Sequence, residues 1–505
     1  MAKRTSARAT IEARLRDEVG TLFKDAPEAI CLLYPSPYSA GMSSLGFQTI
    51  YRTLNADPGR AAHRAFLPDG PEDGPLLTYE TLRPVADYPL IAVSVAYELE
   101  IAGLIEALEA AGIPPLAEDR TVRHPFILAG GPLTFSNPLP LAPYVDAILL
   151  GEADETVHEA VNAFFGARSR QSVLDGMAKI EGAFIPARDQ FMPPIAKCAD
   201  EKLPAYSQIL TPHTELREMF LIEPERGCHR GCTYCVMRRS TNGGMRKVDM
   251  ERVLSLIPKE AKRVGLVGAA TTDHPQIADI VERIADTGRE VGLSSLRADR
   301  LTDRFVAALK RAGHRGLTTA SDGASQRLRD TIQRRAREDV LVKAAELARK
   351  HRMKRLKIYM MVGLPTETDE DIDELVDFSL MLSKKVPISL GIAPFCAKRN
   401  TPLDGAPYAG ISVVEKRLKR LRKGVKGKVD LRATSARWAW IEYVLAQGGR
   451  NEGRAVLDAV RAGGRFRDYK AAFDALDPGR ERRPLVRPGN RVDRSKQQRR
   501  ALRVV

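Results

Sequence analysis

Three of the six cysteines in this 505-residue chain fall within eight positions. They are Cys228, Cys232 and Cys235, in the segment Glu225-Arg226-Gly227-Cys228-His229-Arg230-Gly231-Cys232-Thr233-Tyr234-Cys235, and their spacing is C-x3-C-x2-C. Thiolates are soft ligands that favour iron–sulfur clusters, zinc or cuprous copper. A closed zinc site or an electron-transfer cluster uses four protein ligands, and only three cysteines are local here. His229 could complete a zinc site from within the same loop. Three thiolates on a four-iron cluster would instead leave one iron open to a substrate or cofactor. Gly227 and Gly231 let the backbone wrap closely around such a group. The other cysteines, Cys31, Cys198 and Cys396, are far away in sequence. Such a cluster in a cytosolic chain reads as metal-binding or catalytic rather than disulfide-forming.

The elements that position this loop can be read from the pattern of apolar residues. Residues 28–35, 90–95, 126–131 and 146–151 are short apolar runs typical of buried parallel strands, and helical patterns follow the first, second and fourth of them. Their alternation predicts an open, doubly wound sheet, whose ligands bind at the carboxyl ends of the strands. Tyr34-Pro35, Ser94, Gly130-Gly131 and Gly151-Glu152 lie at those ends. Residues 166–215 contain no long periodic element and several prolines, and read as a linker with a small insert. The alternation resumes at 219, with six predicted strands, MFLIEPE, RVGLVGAA, EVGLSSLR, GLTTAS, RLKIYMMVG and PISLGIAPF, separated by helices. This pattern predicts a partial parallel barrel with its chemistry at the strand C-termini. The cysteine loop follows the first of these strands.

Length and composition set outer bounds. At roughly 100–200 residues per domain, the chain holds two to four domains. The apolar fraction of 44% and charged fraction of 28% exclude wholesale disorder, a collagen-like repeat and a disulfide mini-scaffold. No uninterrupted apolar run of about 18 residues is present, so no membrane span is expected. The charged N-terminus does not read as a signal peptide, and the expected location is cytoplasmic. The net charge is +15. Residues 477–505 hold ten Lys/Arg against three Asp/Glu, a net of +7 on a segment with three prolines. This tail reads either as a solvated, disordered end or as an arm for a polyanion such as RNA.

The cysteine motif, with an aromatic residue before the last cysteine and a barrel strand ahead of it, resembles the signature of the radical S-adenosylmethionine (SAM) enzymes. The resemblance implies that Cys228, Cys232 and Cys235 hold a 4Fe-4S cluster. Its open iron would chelate the amino and carboxylate groups of SAM, and one-electron reduction would cleave the sulfonium to a 5′-deoxyadenosyl radical. It places Tyr234 near the adenine. Gly268, in Gly268-Ala269-Ala270-Thr271-Thr272-Asp273-His274-Pro275, sits where relatives have Gly-Gly-Glu for the methionine amino group, with Ala270 in place of the acid. Ser295 and Arg297 fall where polar groups contact the ribose and the carboxylate. Asp322 stands where relatives carry a glutamate that accepts from ribose hydroxyls, and Gly363, in MMVGLP, where backbone and apolar contacts support the adenine.

The first domain resembles the cobalamin-binding domain that precedes the barrel in one branch of this superfamily. YPSPYSAGMSSLGFQTIYRTLN, SVAYE and LAGGPLTFSNPLPLA carry that likeness. Ser94, Gly130 and Gly131 match the parts of the pattern where small residues leave room for the nucleotide tail. The Asp-x-His-x-x-Gly motif that ligates cobalt is missing, and neither His63 nor His124 has its flanks.

The implied organisation is an α/β chain. An N-terminal extension (1–27) leads to a doubly wound, Rossmann-like, cobalamin-binding-like domain (28–165). The linker (166–215) follows, then a partial (β/α)6 TIM-type radical SAM barrel (216–410), a mainly helical C-terminal region (411–476) and the basic tail (477–505). The expected activity is cobalamin-dependent methyl transfer to an unactivated centre of an unknown substrate. A one-electron reductant such as flavodoxin or ferredoxin would serve it. Three alternatives stand beside it: RNA modification, including thiomethylation; a cyclisation or rearrangement with a vestigial cobalamin domain; and a metal-stabilised nucleic-acid-binding protein. The basic helix VVEKRLKRLRKGVKGK reads as a solvated face, and Trp438 and Trp440 as packing residues.

Overall fold

The computed structural model describes residues 6–70, 74–238, 243–293 and 295–477, which divide into two compact units. The first runs to Phe220 and takes in the described residues from Gly448 onward; the second is Leu221–Gln447. The basic tail at 477–505 lies, apart from Asp477, outside the described residues. Among the described residues no helix is long and apolar enough to cross a membrane.

The first unit is built on strands β1 (Glu28–Tyr34), β2 (Arg60–Phe66), β3 (Leu90–Ser94), β4 (Phe126–Gly130), β5 (Ala147–Leu149) and β6 (Ala183–Phe184). They lie in the order β2-β1-β3-β4-β5-β6, parallel through β5, with β6 antiparallel. The first five follow the doubly wound 2-1-3-4-5 order, whose ligand crevice opens at the β1/β3 switch. Ile30, Leu32, Phe126 and Leu128 project from the strands into one apolar core with Val157 and Val161 of the helix Thr156–Phe165.

Two features depart from the expected layout. The strand β2, RAAHRAF, carries three ionisable residues and was not foreseen, yet it is buried along its whole length. Arg60 pairs with Glu28 at 2.8 Å, and Arg64 pairs with Glu18 at 2.7 Å and Glu80 at 2.5 Å, with all three of the latter side chains fully buried. Buried charge is tolerated here because each guanidinium has its counter-charge. Residues 166–215 are not a linker: they form the helix Arg170–Met177 and β6, and Val173, Met177, Ile180, Ile185 and Ile209 enter the first core. Apolar burial, not periodicity, holds this stretch.

The second unit contains β7 (Met219–Ile222), the short ribbon strands β8 (Glu225–Arg226) and β9 (Arg246–Lys247), then β10 (Arg263–Leu266), β11 (Glu290–Leu293), β12 (Leu317–Asp322), β13 (Leu356–Val362), β14 (Ile388–Pro394) and β15 (Asp430–Ala433). The sheet orders are β11-β10-β7 and β12-β13-β14-β15, and a parallel bridge from Leu296 to Thr319 joins them. The helices between strands cover the outer face, as in a partial barrel. β15 adds a parallel strand beyond the six expected.

The C-terminal region divides between the units. The helix Ile411–Gly424 buries Val414, Leu418 and Leu421 and ties Arg417 to Glu367 at 2.9 Å and Arg420 to Asp373 at 2.5 Å, so its basic face is partly paired rather than merely solvated. Trp440 is fully buried, whereas Trp438 is 41% exposed. The helices Arg450–Arg461 and Phe466–Leu476 instead join the first unit. Gly453 is needed there, because a Cβ would stand 2.1 Å from the Pro140 carbonyl oxygen.

Candidate active site

The cysteine loop leaves β8 through Gly227, whose φ of +88° lies in the left-handed region. The three cysteines are unlinked; Cys232 is buried and Cys228 and Cys235 are half-buried. The Arg230 N–H points at Cys228 Sγ, 3.4 Å away. Burial pushes the Cys228 thiol up and Cys235 up to about 11, so ligation must displace protons. The loop is pinned at both sides: Thr233 N–H donates to the Ile332 carbonyl at 3.0 Å, and Leu403 N–H to that of Thr233 at 3.2 Å.

Tyr234 donates from its hydroxyl to Asp322 Oδ2 at 2.7 Å. Asp322 ends β12 with φ +61°, at a slip in the β12/β13 register. A non-glycine residue held in that region stores strain, which concentrates at functional sites. Its carboxylate also pairs with Arg334, whose Nη2 reaches the Ala320 carbonyl at 3.1 Å and whose guanidinium lies beside Cys232. Asp322 is thus already engaged by a phenol and a guanidinium, which leaves only part of its acceptor capacity for a ribose.

The loop after β10 carries a second cluster. Gly268 is required by contact: a Cβ there would stand 2.1 Å from Glu225 Oε1. That oxygen accepts the Ala270 N–H at 2.7 Å, and Oε2 is buried. Burial pushes the Glu225 carboxyl up to about 7, against the lowering effect of the Ala270 N–H. Three residues beyond Ala270, the fully buried Asp273 carboxylate gathers Arg230 at 2.7 Å, Arg300 at 3.0 Å and Arg297 at 3.5 Å. Burial alone would raise Asp273, but the Arg230 hydrogen bond and the Arg297 charge outweigh it and hold it below the usual range. Arg297 also pairs with Asp299 at 2.9 Å. Three guanidiniums around one buried carboxylate leave surplus positive charge, suited to an anionic group such as a carboxylate.

The expected residues of the barrel therefore all lie at or just beyond strand carboxyl ends, but not as one set. Cys228, Cys232, Cys235, Tyr234 and Asp322 are linked around the cysteine loop, with Arg297 reached through Asp273 and Arg230. Ser295 is exposed. Gly363, with φ +88°, gives its N–H to Glu367 at 2.8 Å and faces Ala409 and Val414, so it shapes the turn. Sequence reading missed Glu225, the hub role of Asp273, and Arg334. Glu225 had a signal in its place three residues before Cys228. Arg334 had none, because it reaches the loop only through the left-handed Gln333 and Arg335 on either side.

The donor set fits the cluster. His229 stands 3.9 Å from Asp273, drawn to the carboxylate. Among the described residues, no group of three or more Cys, His, Asp or Glu is drawn together as one bound metal ion requires. Three thiols on one loop, with no fourth local cysteine, suit a four-iron cluster that keeps one iron free of a protein ligand.

In the first unit, Ser94 and Gly130 are register partners at the ends of β3 and β4. A Cβ on Gly130 would meet nothing nearer than the Leu149 carbonyl oxygen at 3.8 Å, so that position is open. Gly131, at φ +103°, would place a Cβ 2.6 Å from the Val95 carbonyl oxygen, so it serves close packing. His63 donates from Nε2 to the Lys24 carbonyl at 2.9 Å and accepts the Tyr88 hydroxyl at Nδ1 at 2.7 Å. Both of its ring nitrogens are occupied. His124 accepts the Thr121 N–H at Nδ1.

Comparison with known proteins agrees with this arrangement. The family model for radical SAM proteins, N-terminal, matches residues 46–186, and that for the radical SAM superfamily matches residues 222–379. An uncharacterized protein of Methanocaldococcus jannaschii is 26% identical over 79% of this chain and 83% of its own length. An uncharacterized methyltransferase of Pyrococcus horikoshii is 25% identical over 51% of this chain and 58% of its own. The ribosomal protein uS12 methylthiotransferase RimO of Pelotomaculum thermopropionicum is 27% identical over 53% and 64%. Among solved structures, the cobalamin-dependent S-adenosylmethionine radical enzyme OxsB with aqua-cobalamin bound aligns at 13% identity and a TM-score of 0.50. That alignment covers 78% of this chain and 56% of OxsB. At that identity the likeness is one of fold. With the three-cysteine loop at the head of its barrel and both family models matched in order, the chain belongs to the radical SAM superfamily and carries that superfamily's N-terminal domain.

Proposed function

We propose that this radical SAM enzyme binds cobalamin in its first unit and transfers a methyl group to an unactivated centre. The observation that carries the reading is the 2-1-3-4-5 parallel sheet, open at Gly130 on the carboxyl end of β4, in the same chain as the three-thiol loop. The Pyrococcus relative named a methyltransferase and the fold of OxsB support it. When bound, the cluster and cobalamin supply one-electron chemistry and a methyl carrier. The chain supplies the rest. Cys228, Cys232 and Cys235 hold the cluster. Arg297, turned by Asp273, offers a cation to the SAM carboxylate. Asp322 orients Tyr234 beside the cofactor, and Gly130, with Ser94 as its register partner, leaves space at the strand ends, while Gly131 packs the turn that follows. The electron comes from a reductant of the flavodoxin or ferredoxin kind. Thiomethylation would call for a second cluster, and Cys31, Cys198 and Cys396 lie on separate segments, so simple methyl transfer is the reading carried forward.

The test is anaerobic reconstitution with iron, sulfide and hydroxocobalamin, one-electron reduction of the bound corrinoid with dithionite, and then corrinoid analysis and electron paramagnetic resonance. The expected result is bound cob(II)alamin with no protein-nitrogen splitting, since the chain lacks the Asp-x-His-x-x-Gly motif and His63 is committed on both ring nitrogens. Histidine superhyperfine splitting, or no corrinoid retained, contradicts the proposal.

A further inference from the structure

The inner face of the barrel carries a charge pattern that the cluster chemistry does not use. Along β13 burial alternates: Leu356, Ile358, Met360 and Val362 are buried against the helical layer, while Lys357, Tyr359 and Met361 face the other way. Register extends that inner face across the sheet. Lys357 lies between Thr318 and Ser389, and Ser389 beside Asp430; Tyr359 lies between Ala320 and Gly391, and Gly391 beside Arg432. At the amino-terminal end of these strands is a half-open cavity of about 570 Å³, with Arg315, Lys354, Arg355 and Lys357 on its wall and Asp430 as its acid.

That acid is already used. Asp430 accepts from the Ser389 hydroxyl at 2.9 Å and from Arg432 at 3.1 Å. Lys357 has no carboxylate partner within 4 Å among the described residues. Its ammonium donates to the Tyr359 hydroxyl at 2.8 Å and stands 4.4 Å from that ring's centre. The ring lies across to β14 because residue 391 is glycine: a Cβ there would come within 2.8 Å of it. Gly391 and Tyr359 thus fix the ammonium in place. Arg315, Lys354 and Arg355 are exposed and likewise form no ion pair within 4 Å among the described residues, although the Arg355 charge helps to hold the Asp430 carboxyl low. Elsewhere on this unit arginines meet acids, as Arg304, Arg420 and Arg283 do. Four cations against one committed carboxylate, in a concavity where like charges repel, leave a place for a dianion.

The geometry points to a phosphate-monoester site on the barrel's inner face, centred on Lys357 and Arg355. Asp322 aligns with Met360, three residues along β13 from Lys357, so the site lies about 10 Å from the Tyr234–Asp322 level. An extended substrate anchored here by a phosphate would present its other end at the cofactors. That last role rests on the proposed reading of the barrel as the place of turnover; the anion site itself does not.

Titration calorimetry on the reconstituted full-length chain, without reductant, separates the two. The probes are glycerol 3-phosphate, inorganic phosphate, glycerol and a 15-nucleotide RNA. Glycerol 3-phosphate should bind and glycerol should not. Lys357→Gln should weaken binding about tenfold or more, and Lys357→Gln with Arg355→Gln should abolish it, since each removes a charge-assisted contact. Tyr359→Phe should weaken it several-fold, with iron content and melting temperature unchanged in all three variants as the folding control. Inorganic phosphate binding as tightly as the ester would keep the site and overturn its role as a substrate anchor. Unchanged affinity in the double variant, or RNA binding about a hundredfold tighter than the ester, would overturn the proposal. Failure to bind corrinoid would leave this result standing.

Discussion

Replacing Gly268 by alanine probes the packing of the candidate site at its tightest point. The new Cβ would stand 2.1 Å from Glu225 Oε1 and 2.9 Å from its carboxyl carbon. Relief requires the carboxylate to move by about an ångström, which breaks its 2.7 Å bond from the Ala270 N–H. Losing that bond in a buried setting costs about 1–3 kcal/mol, and forcing a methyl into a filled space costs about 1–3 kcal/mol. The expected loss is about 2–6 kcal/mol for the second unit, or roughly 4–24 °C in its melting temperature. Both tryptophans of the chain, Trp438 and Trp440, lie in this unit, so urea unfolding followed by tryptophan fluorescence reports on it selectively. Glu225→Ala removes the obstacle. The double variant should therefore be more stable than the sum of the two single losses by about 1–3 kcal/mol. Additivity within about 0.5 kcal/mol, or a Gly268→Ala chain as stable as the parent, would refute the contact.

Glu225 also sets a pH dependence. Its folded carboxyl titrates near 7, against 4.5 as the ordinary value, so its contribution is fully present below about 4.5 and is lost as pH rises through 7. Tryptophan-monitored stability should fall across that window, and Glu225→Gln should flatten the fall; an unchanged slope would count against it. Asp322→Asn leaves Arg334 buried without its counter-charge beside Cys232. Iron retained per chain should drop, and SAM cleavage should fall about tenfold or more; a variant with full iron and parental cleavage speaks against the Tyr234–Asp322–Arg334 linkage. Arg64→Met strips the counter-charge from buried Glu18 and Glu80 and should cost the first unit about 3–5 kcal/mol, read as faster hydrogen exchange of β1 and β2 amides; unchanged exchange would contradict it. Burial raises Glu18, but the Arg64 charge and hydrogen bonds outweigh this and hold it low. In the parent chain its stabilisation should therefore disappear as pH falls below about 4.5.

The apolar strands were legible because they are continuous runs with glycine or proline at their ends, and the cysteine loop because its spacing is self-contained. What escaped was held by partners distant in sequence. β2 looks like a polar segment until Glu28, Glu18 and Glu80 are placed against its arginines. The stretch 166–215 lacks a period because it contributes single apolar residues to a core built by others. β15 is four residues with two charges, and reads as a strand only when paired to β14. The helices after Gly448 look like a continuation of the barrel's helical end, but Gly453 and the Pro140 carbonyl bring them to the first unit. At the site, positions at strand ends could be read from the sequence, whereas the linkages could not. That Asp322 would be claimed by Tyr234 and Arg334, or that Asp273 would gather three arginines, depends on left-handed turns and loop closures that no local pattern encodes.

The most direct test of the central claim is reductive cleavage of SAM by the anaerobically reconstituted chain. With dithionite as electron donor, the parent should hold about four irons per cluster-loaded chain and yield 5′-deoxyadenosine and methionine. Cys232→Ala, which removes the buried middle thiol, should hold no such cluster and yield neither, whereas Cys31→Ala, Cys198→Ala and Cys396→Ala should match the parent. Parental iron content and 5′-deoxyadenosine formation in Cys232→Ala would contradict the assignment of Cys228, Cys232 and Cys235 as the cluster ligands.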